Sequence, residues 1–245
     1  MNRDLGFTPS VFGWGAGIFF VGYVLFEIPS NLIMHRVGAR RWIARIMISW
    51  GLVAAAMMFV RGVASFYAMR MLLGLAEAGF FPGIILYLTY WYPDEMRGRA
   101  IALFMTAAVT AGVIGGPISG ALLTLHGAGG LAGWQWLFLI EGLPAVVLGV
   151  VVWRYLPDRP ESARWLTAAE RAWLAERMAR DRAATAHEPH ERIGPTLASP
   201  AIWLLALVYF TIVIGLYGTG FWIPQIIQGL GTLSNLTVGD RKSVV

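Results

Sequence analysis

The chain contains no cysteine and a single lysine, Lys242, in 245 residues. Without cysteine there is no disulfide framework, no thiolate zinc site and no cysteine nucleophile. Charge is scarce too: Asp, Glu, Lys and Arg make up 13% of the chain against 57% hydrophobic residues, and the mean hydropathy is +0.62. A single water-soluble domain, whose charged share is about a quarter, is excluded by that balance. Four scattered histidines and no Asp or Glu cluster offer neither a metal constellation nor an activated nucleophile. An integral-membrane enzyme is therefore not expected, and neither is a cofactor or a metal.

What the chain does have is six long apolar runs: Val11–Met34, Trp42–Val60, Phe66–Tyr92, Ile101–Leu125, Trp136–Leu156 and Ile202–Gln228. Each is too long for a core strand and near or above the ~20 residues that cross a bilayer. In hydrocarbon every backbone polar group must be satisfied internally, so the runs read as helices of an all-α membrane protein. They hold Gly13, Gly17, Pro29, Gly74, Pro82, Gly112, Gly116, Pro117, Gly120, Pro144 and Pro224. Membrane helices tolerate such residues, and the glycines read first as places of close helix packing.

The arginines fall on one side of these runs. Arg36, Arg40 and Arg41 follow the first, with Arg45 just inside the second, and Arg97 and Arg99 follow the third. The stretch from Pro157 to Ser199 adds Arg159, Arg164, Arg171, Arg177, Arg180, Arg182 and Arg192, whereas the other side has Arg3 and Arg61. By the positive-inside rule the arginine-rich loops are cytoplasmic and the residues before Val11 lie outside. The pI near 9.9 then reflects topology, and no basic stripe with interleaved aromatics points to nucleic acid. No secretory signal peptide is expected, because Met1 to Ser10 is polar and the first apolar run is too long and lacks a small-residue cleavage site. An outside N-terminus without one is what a chain missing an earlier helix would show, with Met1 an internal methionine.

Residues 157–199 form the one hydrophilic stretch. Thr167 with Glu170 three residues later makes a capping box, followed by Trp173, Leu174 and Met178 on one face. This predicts a short amphipathic helix on the inner membrane surface, then a polar linker, Ala183 to Pro195. His187 and His190 in that linker read as part of a solvated loop, since a closed metal site needs about four ligands. The last six residues, Asp240 to Val245, can be written as the translation of a sequencing adapter and are expected to be a non-native tail.

Four ionisable residues sit inside apolar runs: Glu27, Arg70, Glu77 and Glu141. Each costs roughly 2.5–3.5 kcal/mol at a helix centre on insertion scales, so each is a functional candidate by default. Arg70 and Glu77 are seven apart, two helical turns, which puts both on one face about 10.5 Å apart with Gly74 between them. An arginine offers a carboxylate a two-pronged hydrogen bond, and a glutamate shielded from water beside an arginine can exchange a proton. The same pair can equally join helices as a purely structural contact. Glu27, near Pro29 and the run's end, divides between capping or snorkelling and function, and Glu141 reads as a local structural contact. Tyr23, Tyr87 and Tyr217 can offer hydroxyls to a polar ligand, although tyrosine is also common at membrane interfaces.

Several of these residues lie in recognisable strings. Gly22-Tyr23 through Glu27-Ile28-Pro29-Ser30-Asn31-Leu32, then Arg36-Val37-Gly38-Ala39-Arg40-Arg41-Trp42, resembles the second helix and following loop of major facilitator superfamily transporters. Arg70 to Gly74 with Glu77-Ala78-Gly79-Phe80-Phe81-Pro82 is similar to the fourth helix of the anion:cation symporter branch. Gly112, Gly116, Pro117 and Gly120, Gly133-Trp134-Gln135-Trp136, Tyr155-Leu156-Pro157-Asp158-Arg159-Pro160 and Phe221-Trp222-Ile223-Pro224-Gln225-Ile226 extend the resemblance over nearly all of residues 5–239.

The resemblance implies a partial major facilitator fold, six transmembrane helices corresponding to helices two through seven of twelve, in two bundles that rock about a central site. On that reading residues 1–156 are an N-terminal bundle lacking its first helix, 157–199 a cytoplasmic central loop, 200–239 the first helix of a C-terminal bundle, and 240–245 the tail. The implied activity is proton-coupled symport of a small organic anion, an aromatic carboxylate, tartrate or a sugar acid, through the inner membrane. The intact protein is expected to be a monomer in the lipid bilayer and this chain alone inactive. Arg70, Tyr23, Tyr87 and Tyr217 are the implied substrate contacts, Glu77 the proton carrier, and Arg36, Gly38, Arg40 and Arg41 a gating loop. The loop departs from the wider pattern at His35, where aspartate is usual, and at Asn31, where glycine is. Met105-Thr106-Ala107-Ala108 lacks the amide of some sugar-acid carriers, which leans toward a less hydroxylated or aromatic acid. A receptor or assembly protein that binds an organic anion without moving it is the rival.

Overall fold

The structure, a computed structural model, describes residues 1–185 and 198–229. Among them, six stretches are long and apolar enough to cross a membrane: Pro9–Val37, Ala39–Phe59, Val63–Thr89, Asp94–Leu123, Gly133–Tyr155 and Pro200–Gly220. They are built from α2 (Pro9–Val37), α3 (Ala39–Ala56), α4 (Val63–Glu77), α5 (Phe80–Thr89), α6 (Asp94–Leu123), α7 (Gly133–Tyr155) and α9 (Pro200–Gly229). A four-residue α1 (Asn2–Leu5) precedes them, and α8 (Ala168–Thr185) lies between α7 and α9. His187, His190 and the tail from Asp240 lie outside the described residues.

Local sequence accounts for several of the helix ends. Thr8 caps α2 through its hydroxyl, which accepts from the Val11 amide at 3.3 Å, and Pro9 follows at the first helical position. α2 and α3 meet at Gly38, whose φ of +95° favours glycine and whose N–H closes the last turn of α2 on the Met34 carbonyl at 2.9 Å. The capping box forms as its residues require. The Thr167 amide donates to Glu170 Oε2 at 2.8 Å, and the Glu170 amide donates to Thr167 Oγ1 at 3.3 Å. Of the apolar residues expected on one face of α8, Met178 is buried and Trp173 is exposed.

One element differs from the sequence reading. The run Phe66–Tyr92, expected as a single helix, is two helices with a break at Ala78 and Gly79. Ala78 leaves the helical region with ψ 130°, and Gly79 is left-handed at φ +84°. Pro82 supplies the reason. In a continuous helix its missing N–H would orphan the Ala78 carbonyl and its ring would press on that same group. In the broken form Pro82 falls in the first turn of α5, where backbone N–H groups have no helical partner anyway.

The helices fall into two compact units, Met1–Thr106 with Leu122–Ala175, and Ala107–Ala121 with the described residues from Glu176 on. Within the first, α3 packs most extensively on α7 and α2 on α4. The first contact depends on facing glycines: a Cβ on Gly51 would lie 2.7 Å from the Gly142 carbonyl, and one on Gly142 only 2.7 Å from the Ala55 amide. The second places Gly74 directly against the Phe19 backbone. Among the described residues nothing lies within 4 Å of where a Cβ would stand on Gly17 or Gly112. Apolar clusters fill both ends of this unit, Phe7, Met57, Val60 and Phe66 at one and Met34, Ala39 and Ile43 at the other. The second unit contains α9, with a largely exposed apolar surface that includes Trp203, Leu204 and Tyr209.

Candidate functional site

Arg70 stands in the middle of α4, half-buried against α2. Its Nε donates to the Gly15 carbonyl at 3.0 Å, and its guanidinium lies over the Phe19 ring, 4.9 Å from the centroid. Phe19 in turn sits 6.0 Å from the Tyr23 ring. Gly74 makes this arrangement possible, because any side chain there would collide with the Phe19 carbonyl and the Tyr23 amide. Arg70, Phe19, Gly74 and Tyr23 are thus brought together where α2 crosses α4. Among the described residues, the two terminal nitrogens of Arg70 make no hydrogen bond or ion pair. The planar fork that can grip a carboxylate is therefore uncommitted, while Nε fixes its direction.

Glu77 occupies the last turn of α4, half-buried and immediately before the break. Arg70 is close enough for the two charges to act on one another, yet they form no direct ion pair. The two-turn spacing keeps them on the same face without letting them neutralise each other at contact.

The arginine-rich end is arranged differently. Asp158, just after α7, accepts from the Arg40 amide at 2.7 Å, lies 3.9 Å from Arg40 Nε, and lies against Gly38 so closely that a Cβ there would be 3.0 Å from its Oδ1. Tyr87 donates its hydroxyl to the Pro157 carbonyl at 2.9 Å and packs with Met34, Ala39 and Ile43. The Tyr90 hydroxyl is 3.4 Å from His35 Nδ1, and the Arg159 guanidinium lies 4.9 Å over the Tyr90 ring. Trp91 and Trp165 stack with centroids 5.7 Å apart. Arg36 and Arg41 point to solvent. Of the four tyrosine and arginine substrate candidates, then, Tyr23 and Arg70 lie together, Tyr87 has its hydroxyl spent at the arginine-rich end, and Tyr217 is exposed on α9 in the other unit. No group of three His, Cys, Asp or Glu side chains suited to a metal occurs among the described residues.

With this geometry in hand, comparison with known proteins is decisive for the family. The sequence profile described as "Major Facilitator Superfamily" matches residues 1–239. The chain belongs to that superfamily. It is a multi-pass membrane protein of a transporter family, not an enzyme. A "Putative tartrate transporter" of Agrobacterium vitis is 59% identical over 244 residues, covering 100% of this chain and 56% of the relative. The "Inner membrane transport protein RhmT" of Escherichia coli strain K12 is 40% identical over 243 residues, 99% of this chain and 55% of that one. A solved structure of a bacterial homolog to the human lysosomal transporter Spinster, inward-facing and occupied, superposes with a TM-score of 0.73 at 18% identity. It covers 98% of this chain and 50% of that one, and the likeness concerns the fold. The chain spans about half the length of the curated relatives it matches.

Two residues that the sequence reading gave no role emerge here. Asp158 was visible only as part of a loop string. Its partners are 118 residues away in sequence, so no local pattern could expose it. Arg45 was counted among the loop arginines, yet it reaches across to α4 and donates to the Ala76 carbonyl at 3.3 Å. An arginine one turn inside an apolar run was the available signal.

Proposed function

We infer that the intact protein is a secondary transporter that carries a small organic anion together with protons by alternating access, through the inner membrane. The observation that carries this reading is the uncommitted guanidinium fork of Arg70, directed by Gly15 and flanked by Phe19 and Tyr23 at the α2–α4 crossing. Arg70 binds the carboxylate. Tyr23 lends its hydroxyl to the same ligand. Glu77 carries the coupling proton and exchanges it with the anion's arrival, since both interact with Arg70. The loop of Arg36, Gly38, Arg40 and Arg41 closes and opens the arginine-rich end. The A. vitis relative makes a dicarboxylate of the tartrate kind the substrate to try first, ahead of an aromatic acid.

The test is radiolabelled tartrate uptake into proteoliposomes by the full-length gene product, driven by a pH gradient acid outside. Glu77→Gln abolishes gradient-driven accumulation and preserves exchange of internal for external tartrate. Undiminished accumulation by that variant overturns the assignment of the proton to Glu77.

A further inference from the structure

The break in the third span leaves the Ala76 carbonyl without the helical donor that residue 80 would have supplied. The Arg45 guanidinium fills that place. Its Nη1 donates to the Ala76 carbonyl at 3.3 Å and approaches Ser49 Oγ at 3.4 Å. The guanidinium is clamped from the side by the Trp42 ring, 4.1 Å away, and by Phe26 at 5.9 Å. Trp42 itself donates Nε1–H to Ser30 Oγ at 2.9 Å, and Ser30, fully buried, is the residue against which Gly79 packs. Both sides of the break are thereby covered: Ala76 by a cation from α3, Gly79 by close packing against Ser30 of α2, whose hydroxyl the same α3 segment engages. The residue between these anchors that carries chemistry is Glu77.

A cation at the end of a helix satisfies orphan carbonyls and the negative end of the helix dipole together. Irregular backbone at membrane depth survives only where protein covers it, and both Ala78 and Gly79 are buried. The geometry points to Arg45 as a positioning residue for proton coupling. By capping the carbonyl that precedes Glu77 it fixes the turn bearing that carboxylate, and so fixes the distance between Glu77 and Arg70. Arg45 touches neither substrate nor proton. This role rests on the transport reading above.

The experiment compares Arg45→Gln and Arg45→Lys with the unsubstituted full-length protein in proteoliposomes, using radiolabelled tartrate. Arg45→Gln is expected to lower pH-driven accumulation about tenfold or more while exchange at equal pH stays within about threefold, and Arg45→Lys to restore most of the loss, since an ammonium can still donate to the carbonyl. In the double variant Arg45→Gln with Glu77→Gln, exchange at equal pH, which Glu77→Gln alone preserves, is expected to stay within about threefold of that single variant, because one residue acts through the other. Equal loss of accumulation and exchange, or a larger loss of exchange in the double variant, overturns the inference. A second arm needs no transport. Hydrogen–deuterium exchange of the amides of residues 74–82 in detergent micelles rises in Arg45→Gln and not in Arg45→Lys, with the other helices unchanged. Unchanged exchange there also overturns it. If the unsubstituted protein accumulates no tartrate, the transport reading and Arg45's part in it both fall, and the exchange arm still decides whether Arg45 holds the break.

Discussion

The α2–α4 crossing and the arginine-rich end of the same unit use similar residues to opposite ends. At the crossing one arginine is steered by a single backbone acceptor and an aromatic face, and its remaining donors are left over. At the arginine-rich end the Arg40 amide is taken up by Asp158, the Tyr87 hydroxyl by Pro157 and the Tyr90 hydroxyl by His35, while Arg40 Nε is left buried 3.9 Å from Asp158 without a hydrogen bond. A group whose hydrogen bonds are spent holds structure, whereas one oriented but unspent can hold a ligand. Gly74 makes the difference at the crossing, since it removes the side chain that would otherwise fill the space between α2 and α4.

The sharpest way to break this division is at Arg70 itself. Arg70→Lys keeps the charge and loses the planar fork, and tartrate uptake is expected to fall about tenfold to a hundredfold, the worth of a charge-assisted hydrogen bond of about 1.5–3 kcal/mol. If uptake is unaffected, Arg70 is structural and the contrast collapses. Gly74→Leu comes next. It forces a side chain against the Phe19 backbone, and overpacking of this kind costs about 1–3 kcal/mol. Its expected signature is a lower melting temperature in detergent together with lost uptake, while Gly112→Leu, where no described neighbour lies within 4 Å of the added Cβ, leaves the melting temperature unchanged.

Asp158→Ala probes the other region. Losing the acceptor for the Arg40 amide costs about 1 kcal/mol at this partly exposed site. Faster proteolysis of residues 36–41 is the expected result, with tartrate exchange retained. Loss of exchange as severe as in Arg70→Lys would show the two regions to be one site.

The smallest effect concerns α8. The backbone amide and then the hydroxyl of Thr167 hold the Glu170 carboxyl below its ordinary range. A depressed carboxylate stabilises the fold above its unfolded pKa, and the contribution disappears as pH falls through the lower folded value. Amide exchange in residues 168–175 is therefore expected to be constant near neutrality and to rise only in acid, below about pH 4, relative to a pH-corrected unfolded reference. Glu170→Gln removes that pH dependence.

The six spans were legible because span length and hydropathy are local properties, as were the capping box at Thr167 and the two-turn spacing of Arg70 and Glu77. The third span was read as unbroken because its hydropathy does not falter at Ala78. Gly79 followed by Pro82 carried the signal in stereochemistry instead. Tyr23 and Tyr87 look alike in sequence, each a tyrosine within an apolar run. Only the fold separates them: the Tyr87 hydroxyl donates to the Pro157 carbonyl, 70 residues on in the chain, whereas Tyr23 sits beside Phe19 of its own helix, the ring over which Arg70 of α4 lies.

By itself the sequence determined that this chain crosses a membrane, which loops carry the positive charge, and which few ionisable groups the bilayer must accommodate, since each follows from composition and spacing within one segment. Tertiary structure decided which glycines bring helices together, that Arg45 ends on the Ala76 carbonyl, that Asp158 seizes the α2–α3 corner, and that Arg70 keeps its fork open. Those outcomes depend on which faces of distant helices meet, and a side chain's hydrogen bonds are fixed by what lies opposite it and not by its neighbours in the chain.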